Sequence, residues 1–270
     1  MAGWRRKSPS FFLMTFHCFK NYIKYLFCSR HWRGYGVHSP FAFELVTRVI
    51  EEKLPYYKYS LVERVRKAQK MSKRTLDMEG REYKLQDLAS DNVDPAYGQL
   101  LFRLVNKYQA RNVVETNMRT GIASMYLAAP DSKVKLTTFG KEEALNELTL
   151  HYMKETGFRN VRVVQGTAEE KLQEVVDELD ALDLLFVNDC VNGSDLDDRI
   201  GVCMSKTASQ TIFVVEGIYR NESMTESWKR LQSDPRVRVT VDLFRYGLVF
   251  FKGNLQKEDY YVRFFPKFRL

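Results

Sequence analysis

RNVVETNMRTGIASMYLA, residues 111–128, decides the fold. The β-branched pair Val113 and Val114 makes a short strand that ends in an acid, Glu115. A loop follows, and Gly121 opens a helix carrying Ile122, Met125, Tyr126 and Leu127. Strand, acid, loop and helix N-terminus form the corner of a doubly wound α/β sheet where a ligand can approach bare backbone N–H groups. Loops of this kind carry two or three glycines, but only Gly121 is present here. Asn117, Met118 and Arg119 stand where side chains would crowd a ligand.

Downstream of this corner, strands and helices alternate. Strand 133–139 precedes helix 141–156, strand 160–164 precedes helix 168–179, strand 182–187 precedes helix 194–205, and strand 210–215 precedes helix 222–232. Five strands separated by helices are expected to lie parallel. Strand 236–243 alternates, with Val237, Val239, Val241 and Leu243 on one face, and Arg245-Tyr246-Gly247 turns it into a last apolar strand. That link is too short for a crossover, so the last pair is antiparallel.

Upstream, Asp94-Pro95 starts a helix that runs to about Tyr108. Residues 75–94 are polar and predict a loop or lid, and residues 56–74 predict a basic helix with Leu61, Val62 and Val65 as its apolar face. Gly34 and Gly36 break the chain before Ser39 and Pro40, an N-cap and first-turn pair for a helix over 41–53. In residues 10–27, Phe12, Phe16, Phe19, Ile23 and Leu26 fall on one helical face, with His17, Lys20, Asn21 and Lys24 off it. Such a stripe needs a cover: the chain's own helices at 41–53 and 95–108, a second copy in a homodimer, or an anionic membrane surface. The first two are favoured, with the helix folded back as a lid over the site end of the sheet.

The charge is uneven. Residues 1–74 hold 16 Lys and Arg against 4 Asp and Glu, so a chain with net charge +8 carries +12 in this region. A basic lobe suits anionic lipid, an acidic partner or nucleic acid. No nucleic-acid module accompanies it, and no nucleic-acid partner is expected. Four cysteines at 18, 28, 190 and 203 form neither a disulfide framework nor a zinc motif. The expected localisation is cytoplasmic, with membrane association through the N-terminal helix as the variant. The basic start at Arg5 and Arg6 resembles an export signal only superficially. The expected organisation is a basic helical N-terminal region and lid over 1–94 and a Rossmann-like domain over 95–270.

Five βα units and a terminal hairpin resemble the layout of class I S-adenosylmethionine-dependent methyltransferases. GVHSPFAFELV (36–46), QLLFRLV (99–105), VVE with GIASMYLA (113–128), VVQGTAEEKL (163–172), LDLLFVND (182–189) and DLFRYGLVFF (242–251) resemble a methyltransferase-like family of Bacteroidetes-type bacteria, related to small-molecule O-methyltransferases. The resemblance implies a seven-stranded, mostly parallel sheet in the order 3-2-1-4-5-7-6, with strand 7 antiparallel. It also implies S-adenosylmethionine as cofactor and a small-molecule acceptor. Glu115, Thr116, Asn117, Gly121, Gly140, Gly166, Thr167, Ala168 and Asp189 would then surround the cofactor. His38, Asp189 and Glu216 are the candidate catalytic bases.

The cofactor motifs depart from the family pattern. Only Glu115 and Gly121 agree with the first loop. Phe139-Gly140-Lys141 stands where an acid holds the ribose hydroxyls, with Glu142 and Glu143 following. Asp189 is displaced by one residue behind Asn188. Glu216-Gly217 replaces an acidic pair, which leaves too few oxygens for a magnesium ion, so no metal is expected. The alternative to a working transferase is a degenerate relative that acts as a non-catalytic binding or scaffold protein through its basic N-terminal lobe.

Overall fold

The structure, a computed structural model, describes residues 16–29 and 38–264. Phe12, the glycine break at 34 and 36, and the arginines at 5 and 6 lie outside the described residues. The first helix, α1 (Phe16–Cys28), is followed by α2 (Pro40–Leu45), which continues into a π-helical turn at Val46–Ile50, and by α3 (Tyr57–Met71). The Ser39 hydroxyl accepts from the Ala42 N–H, so the N-cap expected there is present. A hairpin, β1 (Thr75–Met78) and β2 (Arg81–Lys84), stands where a loop was expected. Glu79 and Gly80 both take positive φ in its turn, the geometry that two-residue hairpin turns demand.

The short α4 (Leu85–Leu88) and a 3-10 turn (Ala89–Asp91) lead to α5 (Pro95–Tyr108), which the Asp94 carboxylate caps. The alternating region then runs β3 (Asn112–Glu115), α6 (Ile122–Ala128), β4 (Lys135–Gly140), α7 (Glu143–Glu155), β5 (Val161–Gln165), α8 (Ala168–Asp177), β6 (Leu184–Val187), α9 (Gly193–Cys203), β7 (Ile212–Glu216) and α10 (Glu222–Ser233). It closes with β8 (Val239–Asp242), β9 (Tyr246–Phe250) and β10 (Glu258–Tyr261).

The main sheet has the order β10-β8-β9-β7-β6-β3-β4-β5. Its seven strands from β5 to β8 reproduce the expected order, with β9 antiparallel to both β7 and β8. The eighth strand, β10, was not foreseen and lies parallel to β8 at the edge. Side chains alternate between two cores. Val113, Phe186 and Val214 face the helices of the 42–128 region, and Val114, Leu185 and Val215 face α8, α9 and α10. Both faces are covered, which is why β6 and β7 are continuous apolar runs. Strand β8 keeps its valine alternation, yet its polar face is buried too. There Thr240 meets Gln232 and the Asp259 carboxylate of β10.

The α1 stripe is not covered as expected. Phe16, Phe19 and Ile23 are exposed, and so is Phe27. The helix docks by its other side, through buried Tyr25 and Cys18. The Tyr25 hydroxyl donates to the Val262 carbonyl at 2.6 Å and accepts from the Phe264 N–H at 3.0 Å. Tyr22 and Tyr25 pack on Phe244, and His17 meets the Thr225 hydroxyl at 2.9 Å. The polar ring groups of this face find partners on α10 and in the segment after β10, and a phenylalanine stripe offers none. α1 therefore docks on Thr225, Phe244, Val262 and Phe264.

Candidate functional site

The sheet order reverses at β3, which lies between β4 and β6, both parallel to it. Glu115, Gly140, Asn188 and Glu216 thus come to one edge, at the carboxyl ends of β3, β4, β6 and β7. A crevice for a ligand belongs at this point in an open α/β sheet.

The loop after β3 turns inward and fills that crevice. The Thr116 N–H continues the ladder to the Phe186 carbonyl at 3.0 Å, and the Met118 N–H reaches the Phe139 carbonyl at 2.8 Å. Met118 is buried in the apolar core. Arg119 has a φ of 50° and Gly121 one of 82°. A Cβ on Gly121 would lie 2.2 Å from the Thr149 methyl, so this position requires glycine on both grounds.

The left-handed turn swings the Arg119 side chain across the strand tips. Its Nη2 donates to the Asn188 carbonyl at 2.6 Å and to the Glu216 carboxylate at 2.8 Å, and Nη1 donates to the Asp91 carbonyl at 3.2 Å. Burial works against the Arg119 charge, but Glu216, Tyr246 and Glu115 together outweigh it and the guanidinium pKa is raised. A cavity of about 10 Å³ remains between Met118, Arg119, Phe186, Asn188 and Glu216, room for about one water molecule.

Glu115 is fully buried beneath this plug. It accepts from the Ser124 hydroxyl, from the Thr138 hydroxyl at 2.9 Å and from the Asn188 amide at 3.3 Å. Burial pushes its pKa up to about 7, and these hydrogen bonds hold it from rising further. Asn188 also donates to the Asn117 carbonyl at 2.8 Å, and its N–H meets the Thr116 hydroxyl at 3.0 Å. The Asn117 carboxamide oxygen accepts from the Arg119 N–H at 3.1 Å. Glu115, Thr116 and Asn117 therefore face partners within the chain.

The next corner is closed as well. The Asn146 amide donates to the Gly140 carbonyl at 2.7 Å and to Gln165 at 2.8 Å. A Cβ on Gly140 would sit 1.9 Å from the Asn146 carboxamide oxygen. Lys141 turns outward to pair with Glu79 of the β1–β2 hairpin and stands 3.7 Å from Glu142. Gly166 makes its turn with a φ of 120°. Thr167 then caps α8 reciprocally with Glu170, which satisfies N–H groups a ligand would otherwise use, and Ala168 is buried.

The three candidate bases do not converge. Glu216 is held by Arg119. Asp189 faces away and pairs with Arg199 of α9 at 3.1 Å. His38 is exposed, and Phe41, three residues on, packs on Tyr108 and Phe250 at the opposite end of the sheet.

Three residues that sequence reasoning did not single out brace the plug. Gln69 of α3 donates to the Thr120 carbonyl at 2.8 Å, and the Thr120 hydroxyl meets Gln69 and Asn92. Burial raises the pKa of Asp91, opposed by the Arg119 charge and reinforced by Glu216. Among the described residues, no group of three or more His, Cys, Asp or Glu side chains is placed to hold a metal ion.

Solved structures share this architecture. An O-methyltransferase from Bacillus cereus in complex with S-adenosylhomocysteine aligns with a TM-score of 0.54 at 17% identity, over 77% of this chain and 96% of that one. The O-methyltransferase TomG from Streptomyces achromogenes, bound to S-adenosylmethionine and involved in tomaymycin synthesis, aligns with 0.54 at 18%, over 74% and 92%. A methyltransferase from Geobacter sulfurreducens gives 0.52 at 15%, over 75% and 93%. The fold is that of the class I O-methyltransferases. No protein-family model matches the sequence, and no curated protein does. At these identities the likeness extends to the methyltransferase fold and stops there.

Proposed function

We propose that this chain is a degenerate methyltransferase-fold protein that works as a binding or scaffold protein rather than as a transferase. The observation that carries the reading is Arg119 laid on Glu216 across the strand tips, with about 10 Å³ left beside it. S-adenosylmethionine does not fit the crevice in this form. Entry would require Arg119 to leave, and a buried carboxylate stripped of its partner costs about 3 kcal/mol, or about two orders of magnitude in affinity. The ribose corner adds to this. It offers a glycine beneath Asn146 and no acid for a charge-assisted hydrogen bond to the hydroxyls.

A second reading is favoured by the S-adenosylmethionine and S-adenosylhomocysteine bound in the fold neighbours. In it the chain is an S-adenosylmethionine-dependent enzyme for a small-molecule acceptor, of the Bacteroidetes-type group its motifs resemble. Arg119 would then act as a latch that opens. Calorimetric titration of the full chain with S-adenosylmethionine and S-adenosylhomocysteine separates the two. The first reading expects no binding tighter than about millimolar. A micromolar dissociation constant would select the second.

A further inference from the structure

The aromatic face of α1 points away from the body of the molecule. Phe16 is 84% exposed, Phe19 51%, Ile23 39% and Phe27 75%. At their spacing of three and four residues they form one strip along the whole helix. The opposite face is fixed: Cys18 and Tyr25 are buried, Tyr25 is hydrogen-bonded to the backbone of Val262 and Phe264, and His17 to Thr225. The helix is thus held in place by its polar-aromatic side while it presents its apolar side outward. This reverses the arrangement of an ordinary surface helix.

Charge selects what covers the strip. Lys20 and Lys24 follow Phe16 and Ile23 along one edge of it and are exposed. The helix, FHCFKNYIKYLFC, contains no acidic residue, and residues 1–74 carry a net +12. Apolar rings with lysines along their border match a bilayer interface, where rings enter the acyl boundary and ammonium groups stay among anionic headgroups. A second copy brought face to face would set lysines against lysines. No helix among the described residues is long and apolar enough to cross a membrane, so the contact lies in the plane of the interface.

We propose that α1 docks the protein peripherally onto anionic lipid bilayers through Phe16, Phe19, Ile23 and Phe27, with Lys20 and Lys24 on the headgroups. The docking is independent of the state of the crevice. The test is flotation of the full chain with vesicles of phosphatidylcholine alone and of phosphatidylcholine mixed with phosphatidylglycerol. The variants are F16S/F19S/F27S and K20Q/K24Q, which change exposed side chains only; thermal melts establish that both remain folded. The wild type should float with the mixed vesicles, far less with the neutral ones, and less as salt rises. Partitioning should fall about 30-fold in K20Q/K24Q, and about tenfold or more in F16S/F19S/F27S. Failure to float with anionic vesicles overturns the proposal, as does floating equally well after both sets of substitutions. Light scattering that shows a dimer which F16S/F19S/F27S dissociates would also overturn it and assign the strip to a second copy.

Discussion

Arg119 occupies the loop position where a side chain is least welcome to a cofactor, and its left-handed backbone aims it at the tips of β6 and β7. Beneath it, Glu115 has lost contact with solvent and meets only hydroxyl and amide donors from its own chain. That burial has a measurable consequence. Below the ordinary glutamate pKa of 4.5, Glu115 is protonated in the folded and unfolded chain alike. Between 4.5 and about 7 the folded protein keeps a proton that the unfolded chain has released, so Glu115 makes stability fall as pH rises through this window. Above it, the cost of the buried charge is present in full. Glu115→Gln removes the titration. Unfolding free energies of the two proteins from urea titrations should therefore diverge in favour of the variant by about 3 kcal/mol between the low and high ends of the window. A difference that stays constant across this pH range would contradict the assignment.

The elements were legible where a local pattern specifies them. Asp94-Pro95 marks the start of α5 because a carboxylate cap and a first-turn proline are local chemistry, and the alternating strands and helices give five parallel strands and a terminal antiparallel pair, while their order follows from the resemblance to the methyltransferase layout. The β1–β2 hairpin was missed because its turn is Glu79-Gly80, which reads as an ordinary polar stretch. The edge strand β10 was missed because Glu258–Tyr261 alternates weakly and its pairing with β8 is a long-range choice. The crowding of the β3 loop by Met118 and Arg119 was legible from the missing glycines. The destination of Arg119 was not, because its partners stand at 91, 188 and 216. At α1 the periodicity identified the helix but not which side it buries. Tyr25 decides that. Tyr25→Phe keeps the ring packing on Phe244 and removes both hydrogen bonds to residues 262 and 264. It should lower stability by about 1–3 kcal/mol by urea unfolding. An unchanged midpoint would mean that the hydroxyl does not hold the helix to the sheet.

The whole molecule combines an architecture shared with cofactor-bound O-methyltransferases and a crevice that its own side chains have closed. Four changes act together at the strand tips: the Arg119–Glu216 pair, Met118 in the core, Asn146 over Gly140, and Asp189 turned to Arg199. The exposed strip of α1, a helix docked on Thr225, Phe244, Val262 and Phe264, includes none of the residues of this crevice. The most direct test of the closed crevice is a crystal structure of the protein grown with millimolar S-adenosylhomocysteine. In a closed crevice Arg119 stays on Glu216, Asn146 stays against Gly140, and no ligand lies across the tips of β3 and β4. An ordered adenosine there, with Arg119 swung into solvent, would contradict it.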